Sequence, residues 1–535
     1  MTVSPEGKVT LGSQRSVLVV ARNGASAFRA LEVIKLFDDD ARINLRVTVG
    51  PDSRYAYGVE QLLTSERIRL LPWEAAKHST FDLVLSGGAN ACLAELNGPV
   101  VVFPHGAGHH KRPPAASDGE RVFELTPEQL LRDGSVITSR LLLPGRDSMD
   151  RIRRHCEPAV DNAVIAGDPI AQQLRAHLPL RDTYRSSIGL KPGQRLVVVS
   201  STWGPRSLAA RSLDLIKRLV AELPVDEYRV AATFHHNVTV RDGHRELERI
   251  LRSAVDAGLI LIPPETSWQP FVIAADAVVG DHGSTTFYAA DLVPVAIATD
   301  EPHDCPADSP MTALIEALPH IDEERSIRAQ VEALIAKPQP ETVSAIIDAS
   351  IERDIDASAA FRSTMYELMD LGEPASPAFL SLDSPRPDRV EPTAYLVDAA
   401  VADNRVVLTR YPAAITPTRQ GRHLVVRSDD SDPRRAQTAN ALVAVNEGLE
   451  LADLLRRFPG CRVAVKALAS GGVAVRVQDG SEIRAVADRP ADADVAAVVA
   501  SAYLALTREG RPIEGEATVE CPGHGTSVRF GRLGA

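Results

Sequence analysis

Cysteine is scarce and unpatterned. Cys92, Cys156, Cys305, Cys461 and Cys521 are five in number, widely separated, and include no CxxC pair. That excludes a disulfide framework and a structural zinc knuckle, and predicts a reduced, cytoplasmic protein with no metal site. Aromatic residues are only 4% of the chain, and Trp73, Trp203 and Trp268 are too dispersed to stack successive bases. Positive charge is outnumbered: 59 Lys and Arg stand against 71 Asp and Glu, a formal net charge of -12. This balance argues against general nucleic-acid binding and against a polybasic membrane anchor, while leaving room for a local basic cleft that suits an anionic ligand. Apolar runs of about 18 residues are missing, so no spanning helix is expected. The polar stretch from Met1 to Arg15 lacks the apolar core of a signal peptide. GxGxxG, a Walker lysine, GxSxG and HExxH are all absent; Asn23-Gly24-Ala25-Ser26 is at most a weak dinucleotide loop.

What is present is a core-forming composition, 44% hydrophobic over 535 residues, long enough for roughly two to four domains. Short continuous apolar runs read as strands buried on both faces of a parallel sheet: Ser16–Ala21, Leu45–Val49, Ile68–Leu71, Leu83–Leu85, Val100–Phe103 and Val164–Ala166. A second series follows at Leu196–Ser200, Tyr228–Phe234, Leu259–Ile262, Ala277–Gly280 and Pro294–Ala298, with helical patterns between and, at Glu323–Ala336 and Glu341–Met369, after it. The fold class is therefore α/β, with two Rossmann-like halves (residues 1–180 and 181–372) and function in the loops at the carboxyl ends of the strands. Residues 373–393, rich in Pro, Ser and Asp, read as an exposed linker. Residues 394–535 read as a smaller α+β module, with a long helix over Pro433–Phe458 and a closing hairpin; it carries no catalytic motif. Between residues 126 and 155, six arginines among leucines suggest a solvated helix face, or a contact with anionic lipid or acceptor.

One stretch organises the rest. In Ala277-Val278-Val279-Gly280-Asp281-His282-Gly283-Ser284-Thr285 an apolar strand ends at an acid and a small polar turn opens a helix. Free N–H groups and the helix dipole make such a turn an anion site, with the Ser284 and Thr285 hydroxyls as further donors; the alternative is that either simply caps the helix. Ser201, Thr202 and Arg206, following the first strand of the second half, would complete that wall, with Asp281 holding the loop in shape.

Five short stretches occur in one order: Val102-Phe103-Pro104-His105-Gly106 running on to Lys111, Val164 to Pro169, Val199 to Trp203, Ala232 to His236, and Asp276 to Phe287. Over roughly residues 15–320 the series resembles the CDP-glycerol glycerophosphotransferases, a GT-B-fold group that builds teichoic-acid-type polymers. The match departs from the family pattern in places. The loop from His105 to Lys111 is one residue longer, Ile170 stands where an Arg is usual, no Pro follows His235-His236, and the signature reads Asp-His-Gly-Ser rather than Asp-Tyr-Ser-Ser.

The resemblance implies a metal-independent transfer of a glycosyl or glycerophosphoryl group from a nucleotide-diphosphate donor to an acceptor hydroxyl. No cofactor is needed, and the acceptor would be a polymer or a lipid-linked compound at the inner face of the membrane. His105 would be the general base, His235 or His236 would meet the leaving diphosphate, and Ser201, Thr202, Arg206, Asp281, His282, Gly283, Ser284 and Thr285 would bind the donor. Gly106, His109, His110 and Lys111 would contact acceptor or phosphate, the last three as a positive cluster when the histidines are protonated. Two alternatives stand beside this: a non-catalytic nucleotide- or sugar-sensing protein that signals through 394–535, and a nucleotide-sugar 2-epimerase, which needs cleft carboxylates that no motif singles out. The 394–535 module would serve a homo-oligomer or a protein partner.

Overall fold

Short runs of Val and Leu without a polar break make strands whose two faces are both covered by helices, and two parallel sheets result. The computed structural model describes residues 13–532 apart from 52–55, 66, 113–121, 239–242, 264–265, 300–303, 386, 388–389, 447, 512, 514 and 522–523. The first half contains β1 (Arg15–Ala21), β2 (Ile43–Val49), β3 (Leu83–Ser86), β4 (Val100–Val102), a small hairpin of β5 (Leu131–Arg132) and β6 (Ser135–Val136), then β7 (Arg140–Leu143) and β8 (Ala163–Ile165). Its sheet runs β2-β1-β3-β4-β7-β8, all parallel. The second half holds β9 (Arg195–Ser201), β10 (Tyr228–Phe234), β11 (Ile260–Leu261), β12 (Ala277–Gly280) and β13 (Val295–Ile297), ordered β11-β10-β9-β12-β13 and again parallel. In each sheet the strand order reverses beside the first strand, which leaves a crevice at the carboxyl ends where ligands sit in such folds.

One apolar core runs through both halves, joining Val17, Leu85 and Phe103 to Val198, Ile273 and Phe287. The helix Ala357–Leu368 falls at the end of the second half in sequence but packs on the first. Its Phe361 ring lies 5.7 Å from Phe103, and Tyr366 donates to Asp40 at 2.7 Å. Residues 373–393 contain no helix or strand among those described, yet Leu380 is buried and Gln173 donates to the carbonyls of Leu380 and Ser381 at 3.3 and 3.1 Å.

The tail is a closed nine-stranded barrel. Its strands are β14 (Ala394–Ala402), β15 (Arg405–Pro412), β16 (His423–Arg427), β17 (Ala441–Ala444), β18 (Val463–Ala467), β19 (Val473–Val477), β20 (Glu482–Ala487), β21 (Gly515–Cys521) and β22 (His524–Arg532). They run in the order β14-β15-β21-β22-β20-β19-β18-β17-β16, with β16 pairing back onto β14. The helix Ala493–Arg508 is buried from Val495 through Leu506 without a break and packs against the strands from within. A helix apolar all round is stable only inside such a shell. Closure removes the exposed edges that an open α+β sheet would leave.

Four expectations are corrected. Ile68–Leu71 makes only an isolated bridge, Leu70 to Val47. Arg140–Leu143, read as part of a helical face, is a strand of the first sheet. In the arginine-rich stretch Arg151 lies inside the protein, paired with Asp147 at 2.9 Å and Asp308 at 3.3 Å, so it faces neither lipid nor solvent. The long helix over Pro433–Phe458 breaks into Pro433–Thr438, β17 and Leu451–Arg457. No helix among the described residues is long and apolar enough to cross a membrane.

Candidate functional site

Loops from the carboxyl ends of both sheets meet face to face. After β1, Asn23 caps the helix Gly24–Ile34 in a reciprocal capping box with Ser26, so Asn23-Gly24-Ala25-Ser26 is a helix start. The His236 ring, from the loop after β10, lies directly over Gly24: a Cβ there would stand 2.0 Å from its Cδ2. Phe28 meets the same ring edge-on at 5.4 Å. After β4, Gly106 abuts Ser284, whose Oγ would lie 2.3 Å from an added Cβ. Both glycines permit an approach between the halves that any side chain would block.

Deeper in, Asp168 caps the helix Pro169–Ala176 and accepts from Arg29 at 2.9 Å and from Tyr288 of the second half at 2.7 Å, all three buried. Gln269 donates to Glu32 at 2.5 Å across the same seam. Burial pushes the Glu32 carboxyl upward against the pull of Arg29.

His105 sits in the loop after β4 with its Nδ1 2.7 Å from Glu124 Oε1. The imidazole is 27% exposed and the Glu124 side chain 7%. Glu124 has a φ of 72°, unusual for a residue with a side chain, and its backbone N–H donates to Gln129 Oε1 at 2.7 Å. Gly88 leaves space for its carboxylate, which would stand 2.3 Å from a Cβ there. Burial disfavours the charged imidazole, but the charge and hydrogen bond of Glu124 outweigh it and raise the His105 pKa above its ordinary 6.5. A carboxylate on Nδ1 fixes the tautomer and leaves Nε2 as the basic nitrogen.

On the second half, Asp281 is fully buried. It accepts from the N–H groups of Thr202 at 2.9 Å, Leu208 at 2.9 Å and Gly283 at 3.1 Å, and from the Ser201 hydroxyl at 3.2 Å. These bonds tie the loop after β9 to the turn after β12. The Ser201 hydroxyl is engaged internally: its one proton lies between Asp281 and Thr202 O, the latter at 2.9 Å, and its oxygen accepts from Ala209 N at 2.9 Å. The helix Ser284–Ala290 begins at Gly283 with no side-chain cap, so neither Ser284 nor Thr285 serves as one; both are half-buried at the cleft. Arg206 is exposed. His235 receives the N–H of Asn237 on Nδ1 at 3.1 Å. Burial, then the charges of Lys111, His105 and His236, hold its pKa well below the ordinary value. It is a neutral ring beside the cleft, 6.0 Å from the ring of Trp203.

The expected positive cluster contracts to Lys111. His109 and His110 are buried, and burial, with neighbouring charge, presses their pKa values down to about 3 and about 4. His110 lies 4.7 Å from the Phe287 ring and bonds Ala107 O at 2.9 Å. Between those folded values and 6.5 the unfolded chain binds more protons, so stability is expected to fall as pH drops from about 6.5 toward 4. Unfolding midpoints measured across that range will show a shallower slope in His109→Gln than in the wild type.

Sequence reasoning missed Glu124 and Asp304. Lys111 Nζ lies 3.0 Å from Asp304 Oδ2 and 3.5 Å from Thr202 Oγ1, and His282 Nε2 lies 2.9 Å from Asp304 Oδ1. Asp118, the nearest acid downstream of the His105 loop in sequence, lies outside the described residues. Among those described, no group of three or more His, Cys, Asp or Glu is placed to hold a metal ion.

No family model matches the chain, and no curated protein matches it. Among solved structures the chain is similar to the wall teichoic acid polymerase TagF, with TM-score 0.48 and 12% identity over 68% of this chain and 90% of that one. It is also similar to the UDP-GlcNAc 2-epimerase from Neisseria meningitidis, with TM-score 0.40 and 15% identity over 66% of this chain and all of that one. A third is S. aureus MnaA with UDP, at TM-score 0.42 and 12% identity over 69% of this chain. At such values the ligands of those proteins do not transfer to this chain, whose own residues carry the functional reading.

Proposed function

We propose that the chain is a GT-B-type transferase. It moves a glycosyl or glycerophosphoryl group from a nucleotide-diphosphate donor to an acceptor hydroxyl, with His105 as general base. The observation that carries this is the His105–Glu124 pair at 2.7 Å, set in the loop whose Gly106 touches Ser284 of the opposite half. Nε2 takes the acceptor's proton as its oxygen attacks the donor, and Glu124 stabilises the imidazolium that forms. The departing nucleotide, a nucleoside diphosphate in glycosyl transfer and a nucleoside monophosphate in glycerophosphoryl transfer, is met through its phosphates by the hydroxyls of Thr202, Ser284 and Thr285 and by Lys111. Fixed donors of this kind stabilise developing negative charge without reorganising. The neutral His235 supplies a further hydrogen bond. His109 and His110 support the loop from inside.

A second reading, the epimerase, is supported by Glu124 and Asp304, two carboxylates beside His105 and Lys111 that the sequence did not single out. Product analysis separates the two: a transferase releases its nucleotide, as the diphosphate in glycosyl transfer or the monophosphate in glycerophosphoryl transfer, only when an acceptor is present, whereas an epimerase changes sugar configuration without one.

The first test is a thermal-shift and calorimetric screen against CDP, UDP, GDP, CDP-glycerol and common UDP-sugars. A ligand at a hundred times its Kd stabilises the fold by about 2.7 kcal/mol, enough to register. Ser284→Ala is expected to weaken the hit by about 10-fold or more, since a hydrogen bond to a charged group contributes roughly 1.5–3 kcal/mol. Silence across the panel would sink the proposal.

A further inference from the structure

The wall proposed to bind phosphate already contains an anion. Asp304, from the loop after β13, takes the Lys111 ammonium on Oδ2 at 3.0 Å and faces His282 Nε2 with Oδ1 at 2.9 Å. His282 and Gly283 are the turn residues, and Thr202, which Asp281 fixes through its N–H, stands 3.5 Å from the same ammonium. His282 itself is buried, and its Nδ1 makes no hydrogen bond among the described residues. The cation and the ring nitrogen nearest the turn are thus both directed at one carboxylate. Burial alone would raise that carboxyl's pKa, but His282 and Lys111 hold it well below the usual carboxylate range, so Asp304 is ionised throughout the neutral range. The backbone is anchored separately, Arg112 N–H donating to Asp304 O at 2.8 Å, which leaves the side chain as the part that must move.

We propose that Asp304 is the specificity-determining residue of the phosphate position: its carboxylate is the resident partner of Lys111 and His282, and an incoming diphosphate must displace it. This deepens the transferase reading and rests on its anion wall. Displacement costs the entering ligand one charge-assisted pair for each that it gains, so a simple anion has no net advantage. Binding then requires a ligand that brings two or more negative charges together with further contacts, which a nucleoside diphosphate has and inorganic phosphate lacks. Lys111 belongs to the first half and Asp304 to the second, so the exchange also replaces a contact between the halves with a shared ligand.

The test is calorimetric titration of the full chain with inorganic pyrophosphate, CDP and UDP, in the wild type and in Asp304→Asn. Asparagine keeps the shape of the side chain and removes its charge; Asp304→Ser is a second neutral variant should the first fold poorly, and unfolding midpoints report on both. Pyrophosphate is expected to bind the neutral variant at least ten-fold more tightly than the wild type, with that gain lost when Lys111→Ala is added. Asp304→Glu, which restores a carboxylate, should return the affinity toward the wild-type value. Equal or weaker pyrophosphate binding in a folded neutral variant, or none at all, overturns the proposal and makes Asp304 a brace for Lys111. Tighter pyrophosphate binding with no binding of either nucleoside diphosphate would leave Asp304 in its assigned role and count instead against the nucleotide donor.

Discussion

His105→Ala is expected to reduce turnover by about 10²–10⁴-fold, the usual contribution of a positioned general base. Nucleotide affinity should be unchanged, because the donor wall is built from the second half and Lys111. Steady-state rates with the donor found by the binding screen, beside calorimetry on the same variant, check both parts. Turnover that survives the substitution would remove His105 from the chemistry.

Glu124 makes the prediction sharper, since it raises the His105 pKa above 6.5. A base works in its neutral form, so kcat/KM should rise with pH through that raised value. Glu124→Gln removes the charge, and the acid limb should move to lower pH while kcat falls because the tautomer is no longer fixed. The stability linkage has the opposite sense. A histidine whose folded pKa is raised adds stability that is full below its unfolded value near 6.5 and is lost as pH rises through the folded value. Activity and the His105 contribution to stability therefore move in opposite directions over one pH window, and a merely structural histidine would show only the second.

The strands of the two halves were legible because parallel strands covered on both faces read as unbroken apolar runs, and Tyr228–Phe234 and Ala277–Gly280 appear where those runs lie. Arg140–Leu143 escaped because arginines on either side of three leucines fit a helical face as readily as a strand. Ala441–Ala444 escaped for a related reason: alanine and leucine favour helices, and it is the pairing with β16 on one side and β18 on the other that makes this segment a strand. At the site, His105, Asp281 and Ser284 stood out because each ends a strand or opens a turn. Glu124 sits 19 residues after His105 in a loop, a separation at which only the fold brings the two side chains together. Asp304 comes from the opposite half, and no spacing rule reaches across a cleft. The burial of His109 and His110 was hidden for the converse reason, since a His-His-Lys run looks basic until packing turns two of the rings inward.

Arg410→Met is the largest stability effect expected, about 3–5 kcal/mol, because it leaves a carboxylate buried without its partner. Arg410 lies on β15 of the barrel and is 1% exposed, as is Asp226 of the second half. Its Nε donates to Asp226 at 2.8 Å and its Nη1 to Asp494 at 2.7 Å, while its own carbonyl accepts from Val225 at 3.0 Å. The guanidinium also lies 4.9 Å from the centre of the Tyr395 ring. One side chain thus ties the barrel wall to the second half and to the helix inside the barrel. Breaking one partner of such a pair is costly, whereas replacing both with apolar groups of similar size is often neutral. Adding Asp226→Leu to Arg410→Met should therefore recover most of the loss, since Asp494 keeps Lys191 at 3.4 Å and Arg489 at 3.9 Å. Urea unfolding followed by tryptophan fluorescence and by circular dichroism separates the cases. The tryptophans all precede residue 394, so fluorescence follows the two halves, while circular dichroism also follows the barrel. Coincident transitions in the wild type that separate in Arg410→Met and rejoin in the double variant would show that the barrel is fused to the second half through this pair. Unfolding of Arg410→Met at the wild-type midpoint would mean that the apolar contacts hold the barrel by themselves.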